Sequence, residues 1–313
     1  MRAKVVQILL IIIILTGIVL TAVFLGFGPE YVVEFSINNK IALPLNDFAA
    51  SLDKEGNVHM YGEFYEYLDL SGWNNIISLA SGYADIAGIK KDNTVVMAGR
   101  NHDTGDVSKW QDIVMVTMTY TITFGLKKDG TVIYTGEYTK GADADVDRML
   151  NEVGMWNDIV YIDAGLRGIA GVRKNGEVVI AALNPLLEQE VKQWTDIKSL
   201  SFESNRVIGL KNNHEVVVCE VAPDDTVLTA YPYPEFEGAV KVCTGKDIMA
   251  CLMPNGKVKI REGLKTMADK TVWEKLIDSF KYSDIENAEK VEDICCSLHY
   301  IIAIKSNGEI LLE

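Results

Sequence analysis

One short phrase recurs seven times along this chain. It consists of an apolar residue, three mostly polar residues, a turn-forming residue and, two positions later, a β-branched residue. The copies begin at Leu52, Ile89, Leu126, Val172, Leu210, Leu252 and Ile304, which places them 37, 37, 46, 38, 42 and 52 residues apart. A repeat of this length built from strands and tight turns is typical of β-propellers and solenoids.

Each copy predicts a β-hairpin. The turn position is Gly in five copies, Asn93 in the second and His214 in the fifth. These residue types suit a turn that needs a positive φ, which glycine adopts most readily. His214 is therefore expected to occupy the most strained of the seven turns.

A further strand is predicted before the hairpins, and in four copies it follows a tryptophan. These tryptophans are Trp73, Trp110, Trp156 and Trp194. A tryptophan repeated at one position of an array usually fills the contact between neighbouring sheets. A ligand cage is the alternative, and we favour the packing role.

The net charge of the chain indicates which classes of partner it could bind. The chain has 313 residues, a net charge of −14 and a pI near 4.8. A phosphate backbone would be repelled, so we expect no nucleic-acid partner and favour a protein or a component of the cell envelope.

The chain has five cysteines, an odd number, and no Cys-x-x-Cys motif. Cys243 and Cys251 lie on adjacent predicted strands and could face each other. We favour the interpretation that all five are small buried apolar residues.

An apolar segment precedes the repeats. Val5–Phe27 has 23 residues without a charge, preceded by Arg2 and Lys4 and followed by Glu30. Its length would span about 34 Å as a helix, enough for a bilayer core. The positive flank predicts a cytoplasmic N-terminus and an extracellular remainder at the cell membrane. A cleaved signal peptide is the alternative, but the run is longer than its usual apolar region.

These features predict one N-terminal transmembrane α-helix followed by an all-β, seven-bladed β-propeller. The expected division is a signal anchor in residues 1–27, a linker in 28–45 and the propeller in 46–313. Because the chain ends directly after the last hairpin, the two termini are expected to share one blade and so close the ring.

The longest insertions fall at one place in the repeat, at 137–155, 182–193, 220–235 and 261–287. They are expected to emerge on one face of the ring, as binding loops often do. An amphipathic helix is predicted over 264–282, either packed on the propeller or presented to a partner. A second helix is predicted over Val146–Val153, where preceding aspartates favour the N-terminus; a calcium loop is the weaker interpretation.

The pattern Trp-x-Asp-Ile-Val-x-Ile-x-Ala-Gly followed by Gly-Leu-Lys-x-Asp-Gly-x-Val resembles the regulator-of-chromosome-condensation repeat family, in a divergent bacterial form. The clearest copies are Trp110–Gly136 and Trp156–Val179, and the resemblance covers 46–313. It implies seven four-stranded blades. Family members include an exchange factor for a nuclear GTPase, a secreted inhibitor that binds β-lactamase, and many bacterial surface proteins.

One family feature is absent. The family commonly carries a histidine four residues before the apolar residue that opens the hairpin phrase. The equivalent residues here are Phe48, Asp85, Ile122, Gly168, Arg206, Ile248 and Tyr300. Exchange activity is therefore not carried over to this chain.

The sequence predicts a binding module without catalytic residues, cofactor or metal ligands. None of the four histidines has a zinc-like spacing, and no nucleophile elbow or phosphate loop occurs. Tyr231, Tyr233 and Phe236 are the candidate partner contacts, since aromatic residues dominate interface hot spots. The alternative for this segment is a loop that its prolines simply stiffen. The alternative function is a cell-envelope hydrolase or lyase whose site lies at the propeller channel.

Overall fold

The seven hairpin turns share one backbone geometry. In the computed structural model of the chain, the turn residue of every copy has a positive φ, between 65° and 88°. These residues are Gly56, Asn93, Gly130, Gly176, His214, Gly256 and Gly308. The left-handed conformation costs an L-residue roughly 1–2 kcal/mol, which explains the preference for glycine. At His214 the ring Nδ1 lies 2.8 Å from the carbonyl oxygen of Ala239, and this contact helps to hold the turn.

The structure describes residues 41–42, 48–62, 68–82, 85–99, 105–136, 143–246, 248–262, 283–296 and 300–312. The predicted membrane segment Val5–Phe27 and the predicted helix 264–282 lie outside these residues and stay predictions. Within the described ranges, no helix has both the length and the apolar character that crossing a membrane requires.

The described strands form seven antiparallel sheets that follow one another along the chain. In each sheet we call the first strand inner, the second central and the third outer. Sheet 1 contains β1 (Ile41–Ala42), β2 (Phe48–Leu52) and β3 (Val58–Gly62). Sheet 2 contains β4 (Ile76–Ser81), β5 (Asp85–Lys90) and β6 (Val95–Gly99). Sheet 3 contains β7 (Ile113–Met118), β8 (Ile122–Lys127) and β9 (Val132–Gly136).

The remaining sheets repeat this order. Sheet 4 contains β10 (Ile159–Gly165), β11 (Gly168–Arg173) and β12 (Val178–Ala182). Sheet 5 contains β13 (Ile197–Glu203), β14 (Arg206–Lys211), β15 (Val216–Val221) and β16 (Val227–Ala230). Sheet 6 contains β17 (Lys241–Thr244), β18 (Ile248–Leu252) and β19 (Val258–Glu262). Sheet 7 contains β20 (Val291–Cys296), β21 (Ile301–Lys305) and β22 (Ile310–Leu312).

The number of strands in each sheet and the sharing of one sheet by the two termini differ from expectation. The resemblance implies four strands in each blade, but among the described residues only sheet 5 has a fourth strand. The first strand of sheet 1, Ile41–Ala42, comes from the range predicted to be a linker and pairs with β2. Within the described ranges the termini therefore do not share a sheet, since sheets 1 and 7 are each built from consecutive strands.

A repeated joint connects each turn to the next sheet. The amide of Ile159, at the start of sheet 4, donates to the carbonyl of Gly130 in the turn of sheet 3 at 3.0 Å. Asp158, the residue before, has a φ of 56°, and its carbonyl accepts from Lys174 N at 2.8 Å. Equivalent left-handed residues precede the inner strands of sheets 2, 3, 5, 6 and 7, at Asn75, Asp112, Asp196, Gly238 and Lys290. The left-handed residue thus lets one segment bond both to the preceding sheet and to its own hairpin.

Side chains close the arrangement. Seven buried clusters occur in the described residues, and each draws its side chains from two successive sheets. Leu126 of sheet 3 and Ile159 of sheet 4 share one cluster. Ala49 of sheet 1 shares another with Ile302 and Ile304 of sheet 7. The contacts therefore run in a closed cycle, and side-chain packing joins the last sheet to the first.

The tryptophans fill the contacts between sheets, which confirms the packing interpretation. Trp110, Trp156 and Trp194 are buried in the clusters that join sheets 2 and 3, 3 and 4, and 4 and 5. Each ring lies against a glycine of the central strand in its own sheet. A Cβ added to Gly125 would lie 2.6 Å from Cζ3 of Trp110, closer than packed atoms approach.

Short helices occupy several connections between sheets. They are α1 (Ala144–Val153), α2 (Pro185–Val191), a 3₁₀ turn (Pro234–Phe236) and α3 (Ser283–Asn287). Helix α1 begins two residues before the predicted helix, and the Asp143 carboxylate accepts from the amides of Asp145 and Val146 at 2.9 and 3.3 Å. The aspartates therefore cap and begin a helix, as the favoured interpretation predicted.

The described parts of these connections contribute side chains to the core. Met149 and Val153 of α1 are buried in the cluster between sheets 3 and 4, and Leu187 of α2 in the next one. Ile285 of α3 is buried between sheets 6 and 7. The described parts of the insertions complete the core between neighbouring sheets, because their apolar side chains gain more by burial there than on a solvated face.

We expect Gly125→Ala to lower the free energy of unfolding by about 1–3 kcal/mol, because the added methyl group overpacks the Trp110 ring. Gly154→Ala is the matched control. Gly154 has a φ of −63°, and its added Cβ would meet nothing closer than 3.5 Å. Urea unfolding of both variants tests this expectation, and an equal effect of the two substitutions would contradict it.

Candidate functional site

The inner strands surround a cavity of about 140 Å³ at the centre of the sheets. Its lining comes from the inner strands of sheets 2 to 7 and from the turns that follow several of them. This volume suits several water molecules or a small ligand.

Polar side chains stand at one repeat position around this cavity, nine residues before the apolar residue that opens each hairpin phrase. They are Thr117, Asp163, Ser201, Cys243 and Cys295, with Ala80 in sheet 2. A comparison of this position across the repeats could have identified it from the sequence alone, since its distance from the hairpin phrase is constant.

Asp163 lies at the centre of a hydrogen-bond network across three sheets. Its carboxylate accepts from Phe202 N at 2.9 Å and from Thr117 Oγ1 at 3.3 Å. Burial raises its pKa to about 6, although these hydrogen bonds favour the charged form. The side chain lies deep inside the ring but keeps part of its surface open to the cavity, so solvent there limits the penalty.

Glu203 is a second carboxyl group on the same cavity. Burial raises its pKa to about 7, and the nearby Asp163 raises it further, while the hydroxyl of Ser204 donates to it at 2.8 Å. Both carboxyl groups therefore titrate close to neutral pH, as groups in functional sites often do.

A buried ion pair joins sheets 6 and 7 beside the cavity. The Lys241 ammonium donates to the Asp293 carboxylate, whose side chain is only 6% exposed. Burial alone would lower the pKa of Lys241, but the attraction of Asp293 offsets it, so the pKa is raised. Lys241 is therefore held in its charged form and positioned for ion pairing rather than for nucleophilic chemistry.

The thiols of this region are also kept in their protonated form. Burial raises the pKa of Cys295 to about 12 and that of Cys243 well above its usual value. All five cysteines are free, with Cys219, Cys243 and Cys251 buried and the other two half-buried. Cys251 pairs with Val242 across the sheet and Cys243 with Ala250, so Cys243 and Cys251 do not form a directly opposed pair.

Arg206 stands where the resembled family has a histidine, and it bonds to the next sheet. Its guanidinium donates to Glu220 Oε2 at 3.0 Å and, across to sheet 6, to the carbonyl of Gly245 at 3.0 Å. The side chain is almost fully buried. The absence of the histidine was visible in the sequence, but this use of an arginine needs the coordinates.

The predicted partner contacts are mostly buried. Tyr233 is 4% exposed and Phe236 is fully buried, both in the cluster between sheets 5 and 6. The centroids of their two rings lie 5.1 Å apart. This burial corrects the prediction for these two residues, which offer no surface to a partner. Tyr231 is 46% exposed, and its hydroxyl accepts from Trp194 Nε1 at 3.1 Å.

Several turns after the inner strands reach the cavity, and within the described parts of these turns two tyrosines present exposed rings. Tyr120 lines the cavity and is 45% exposed, and Tyr300, in the equivalent turn of sheet 7, is 42% exposed. Sequence reasoning missed both, because a single tyrosine in a turn carries no distinguishing pattern.

Solved structures share this fold at low sequence identity. The CRINKLY WD40 ectodomain of the Arabidopsis thaliana receptor kinase ACR4 is 12% identical with a TM-score of 0.58, covering 88% of this chain and 94% of that one. The receptor kinase CR4 ectodomain of Physcomitrella patens is 10% identical with a TM-score of 0.58, at 88% and 72% coverage. Prp20p of Saccharomyces cerevisiae, the yeast RCC1 protein, is 13% identical with a TM-score of 0.56, at 84% and 76% coverage.

These likenesses show an all-β, propeller-like fold, as the repeat predicted. Sequence identities this low support a shared fold and nothing about function. No protein-family model matches this chain, and no curated protein matches it either. Membership of the repeat family stays a prediction.

We expect Lys241→Met to lower the free energy of unfolding by about 3 kcal/mol, because it leaves the Asp293 carboxylate buried without its cation. Lys128→Met is the control, since Lys128 lies 3.4 Å from Asp112 in a pair whose side chains are 51% and 64% exposed. Its loss should stay below about 0.5 kcal/mol. Denaturant unfolding measures both, and losses of similar size would show that the buried pair has no special weight.

We expect Asp163→Asn to be more stable than the unchanged chain above pH 6. The folded pKa of Asp163 is raised above its unfolded value of 3.8, so the folded state binds more protons between pH 4 and 6. Its contribution to the free energy of unfolding therefore falls as the pH rises through this window. The advantage of the Asn variant should shrink towards pH 4, and unfolding curves at pH 4, 5, 6 and 7 measure it.

Asp129→Asn should show the opposite dependence of the free energy of unfolding on pH. Hydrogen bonds from Thr131 lower the pKa of this exposed carboxyl group, so its contribution is present at neutral pH and fades on acidification. A pH-independent difference for Asp163→Asn would contradict the burial of that carboxyl group.

Proposed function

We propose that this chain is a protein-binding module of the cell membrane: a seven-bladed propeller held outside the cell by the N-terminal segment Val5–Phe27. The observation that carries the proposal is the closed cycle of seven sheets. A rigid ring brings a turn from every sheet to one end of the axis, where residues far apart in sequence can form one surface.

The membrane part of the proposal rests on the order of the segments. A charge-free stretch long enough to span a bilayer precedes the propeller, and the fold likeness includes the ectodomains of two receptor kinases. Prp20p, which shares the fold, binds Gsp1p and histones. By analogy, the partner here is a protein or another component of the cell envelope.

The turns at the axis are the proposed contact surface. Tyr120 and Tyr300 expose nearly half of their side-chain surface at these turns, whereas Tyr233 and Phe236 are buried in the core. Exposed tyrosines combine a large apolar area with little conformational entropy and often dominate binding energy.

We expect Tyr120→Ala to weaken binding of a captured partner about tenfold, the loss of roughly 1.4 kcal/mol that one interface aromatic commonly supplies. Tyr134→Ala is the control, because Tyr134 is 42% exposed on the outer strand of the same sheet. Partners are captured from membrane extracts with the chain and identified by mass spectrometry. Equal binding by both variants would exclude the axial turns as the contact surface.

The proposed orientation in the membrane, with the propeller outside the cell, is tested separately. Protease added to intact cells should cut the propeller if it lies outside. A ring that stays uncut until the cells are lysed would exclude the outward orientation without affecting the binding surface.

A hydrolase or lyase acting at the cavity is the second candidate. The observation that favours it is the pair of cavity carboxyl groups, Asp163 and Glu203, whose pKa values of about 6 and 7 suit general acid–base catalysis. Turnover of an envelope glycan or peptide that disappears in Asp163→Asn, together with failure to retain any partner, would favour this candidate.

A further inference from the structure

Two thiols from neighbouring inner strands meet beside the central cavity. Cys243 lies on β17 of sheet 6 and Cys296 on β20 of sheet 7, and both line the cavity. Both also belong to the side-chain cluster between these two sheets, and the neighbouring Cys296 side chain helps to raise the pKa of the Cys243 thiol. The adjacent Cys295 instead packs in the cluster between sheets 7 and 1.

The surroundings hold the two strands in a fixed register. Lys241, two residues before Cys243, is paired with Asp293, three residues before Cys296. On the other side of Cys243, the Thr244 hydroxyl accepts from Arg206 at 3.2 Å, and the Thr244 amide donates to Ser201 Oγ at 3.2 Å. The thiols therefore meet through anchored backbone rather than through a mobile loop.

We propose that Cys243 and Cys296 are a site of reversible disulfide formation that links sheet 6 to sheet 7. The oxidant is a low-molecular-weight disulfide that reaches the thiols through the cavity. One cysteine, as thiolate, attacks a sulfur of that disulfide, forms a mixed disulfide and releases one small thiol. The second cysteine loses its proton, attacks the cysteine sulfur of the mixed disulfide and releases the second small thiol. The protein loses two electrons and two protons, and the oxidant gains them.

Burial sets the rate of this exchange. The raised pKa of Cys243 keeps its thiolate scarce at neutral pH, so formation is slow and accelerates with pH. Once formed, the bond closes a loop of roughly 50 residues, which restricts the unfolded chain and raises the stability of the folded one.

The test treats the folded full-length chain with glutathione disulfide, alkylates the remaining thiols and maps the peptides by mass spectrometry. One crosslink between Cys243 and Cys296 is expected, with three cysteines alkylated, and the midpoint of thermal unfolding should rise by several degrees. Reduction should reverse both changes.

Serine variants decide the assignment. Cys296→Ser should abolish the crosslink, whereas Cys295→Ser and Cys219→Ser should keep it. A crosslink that survives Cys296→Ser would overturn the proposal. So would a folded chain that gains only glutathione adducts, or gains nothing, while the urea-unfolded chain forms disulfides under the same conditions. Because the assay uses purified protein, its outcome is independent of where the propeller lies in the cell and of which partner it binds.

Discussion

The joint between one hairpin turn and the next inner strand determines the arrangement of the sheets. At five of the described joints, a turn carbonyl accepts an amide from the following sheet, and the residue before that amide is left-handed. Gly130 and Ile159 make this bond at 3.0 Å, as do Gly176 and Ile197. Between sheets 5 and 6 the donor is the left-handed Gly238 itself, which donates to the carbonyl of His214 at 3.1 Å. Because the donor and the acceptor are backbone groups, the joint tolerates variation in every other part of the repeat. Six such joints occur in the described residues and connect sheets 1 to 7 in order, and side-chain packing joins sheet 7 to sheet 1.

The repeat was readable in the sequence because the joint and the hairpin each need particular residues. Glycine, asparagine or aspartate recurs in the sequence wherever the backbone needs a positive φ, and tryptophan recurs at a fixed distance from the glycine that it packs against. Gly88, Gly125, Gly171 and Gly209 lie opposite the four tryptophans. The equivalent positions Ser51, Cys251 and Ala303 belong to sheets in which no described tryptophan lies opposite. The tryptophan ring occupies the space that a Cβ would need, so two positions fifteen residues apart are linked, and this link could have been inferred from the sequence alone.

The site could not be inferred in the same way. Thr117, Asp163, Ser201 and Cys243 share a repeat position but no chemistry, so no motif connects them. Their common property is location, because all line the cavity. That location follows from strand register, which a bulge shifts near the start of the inner strand in sheets 3, 4 and 5. Tyr233 and Phe236 failed as contacts for a related reason. Aromatic residues near prolines in an insertion indicate an exposed loop, but here the segment turns inward and fills the core between sheets 5 and 6.

The repeat is less regular in sheets 6 and 7, and a buried ion pair and two thiols lie between those sheets. Sheets 2 to 5 have a tryptophan before the inner strand, whereas the same position in sheets 6 and 7 is taken by Phe236 and Ala288. Between sheets 6 and 7, the buried pair Lys241–Asp293 and the thiols Cys243 and Cys296 lie beside the cavity. A charged pair holds a register more strictly than apolar packing, since a shifted partner leaves a buried charge unsatisfied. The contact between sheets 6 and 7 lies next to the contact of sheet 7 with sheet 1, where Ala49 packs against Ile302 and Ile304 and the ring closes. A shift of either strand would leave the Asp293 carboxylate buried without its cation, so the Lys241–Asp293 pair holds sheet 7 in register beside the contact that closes the ring.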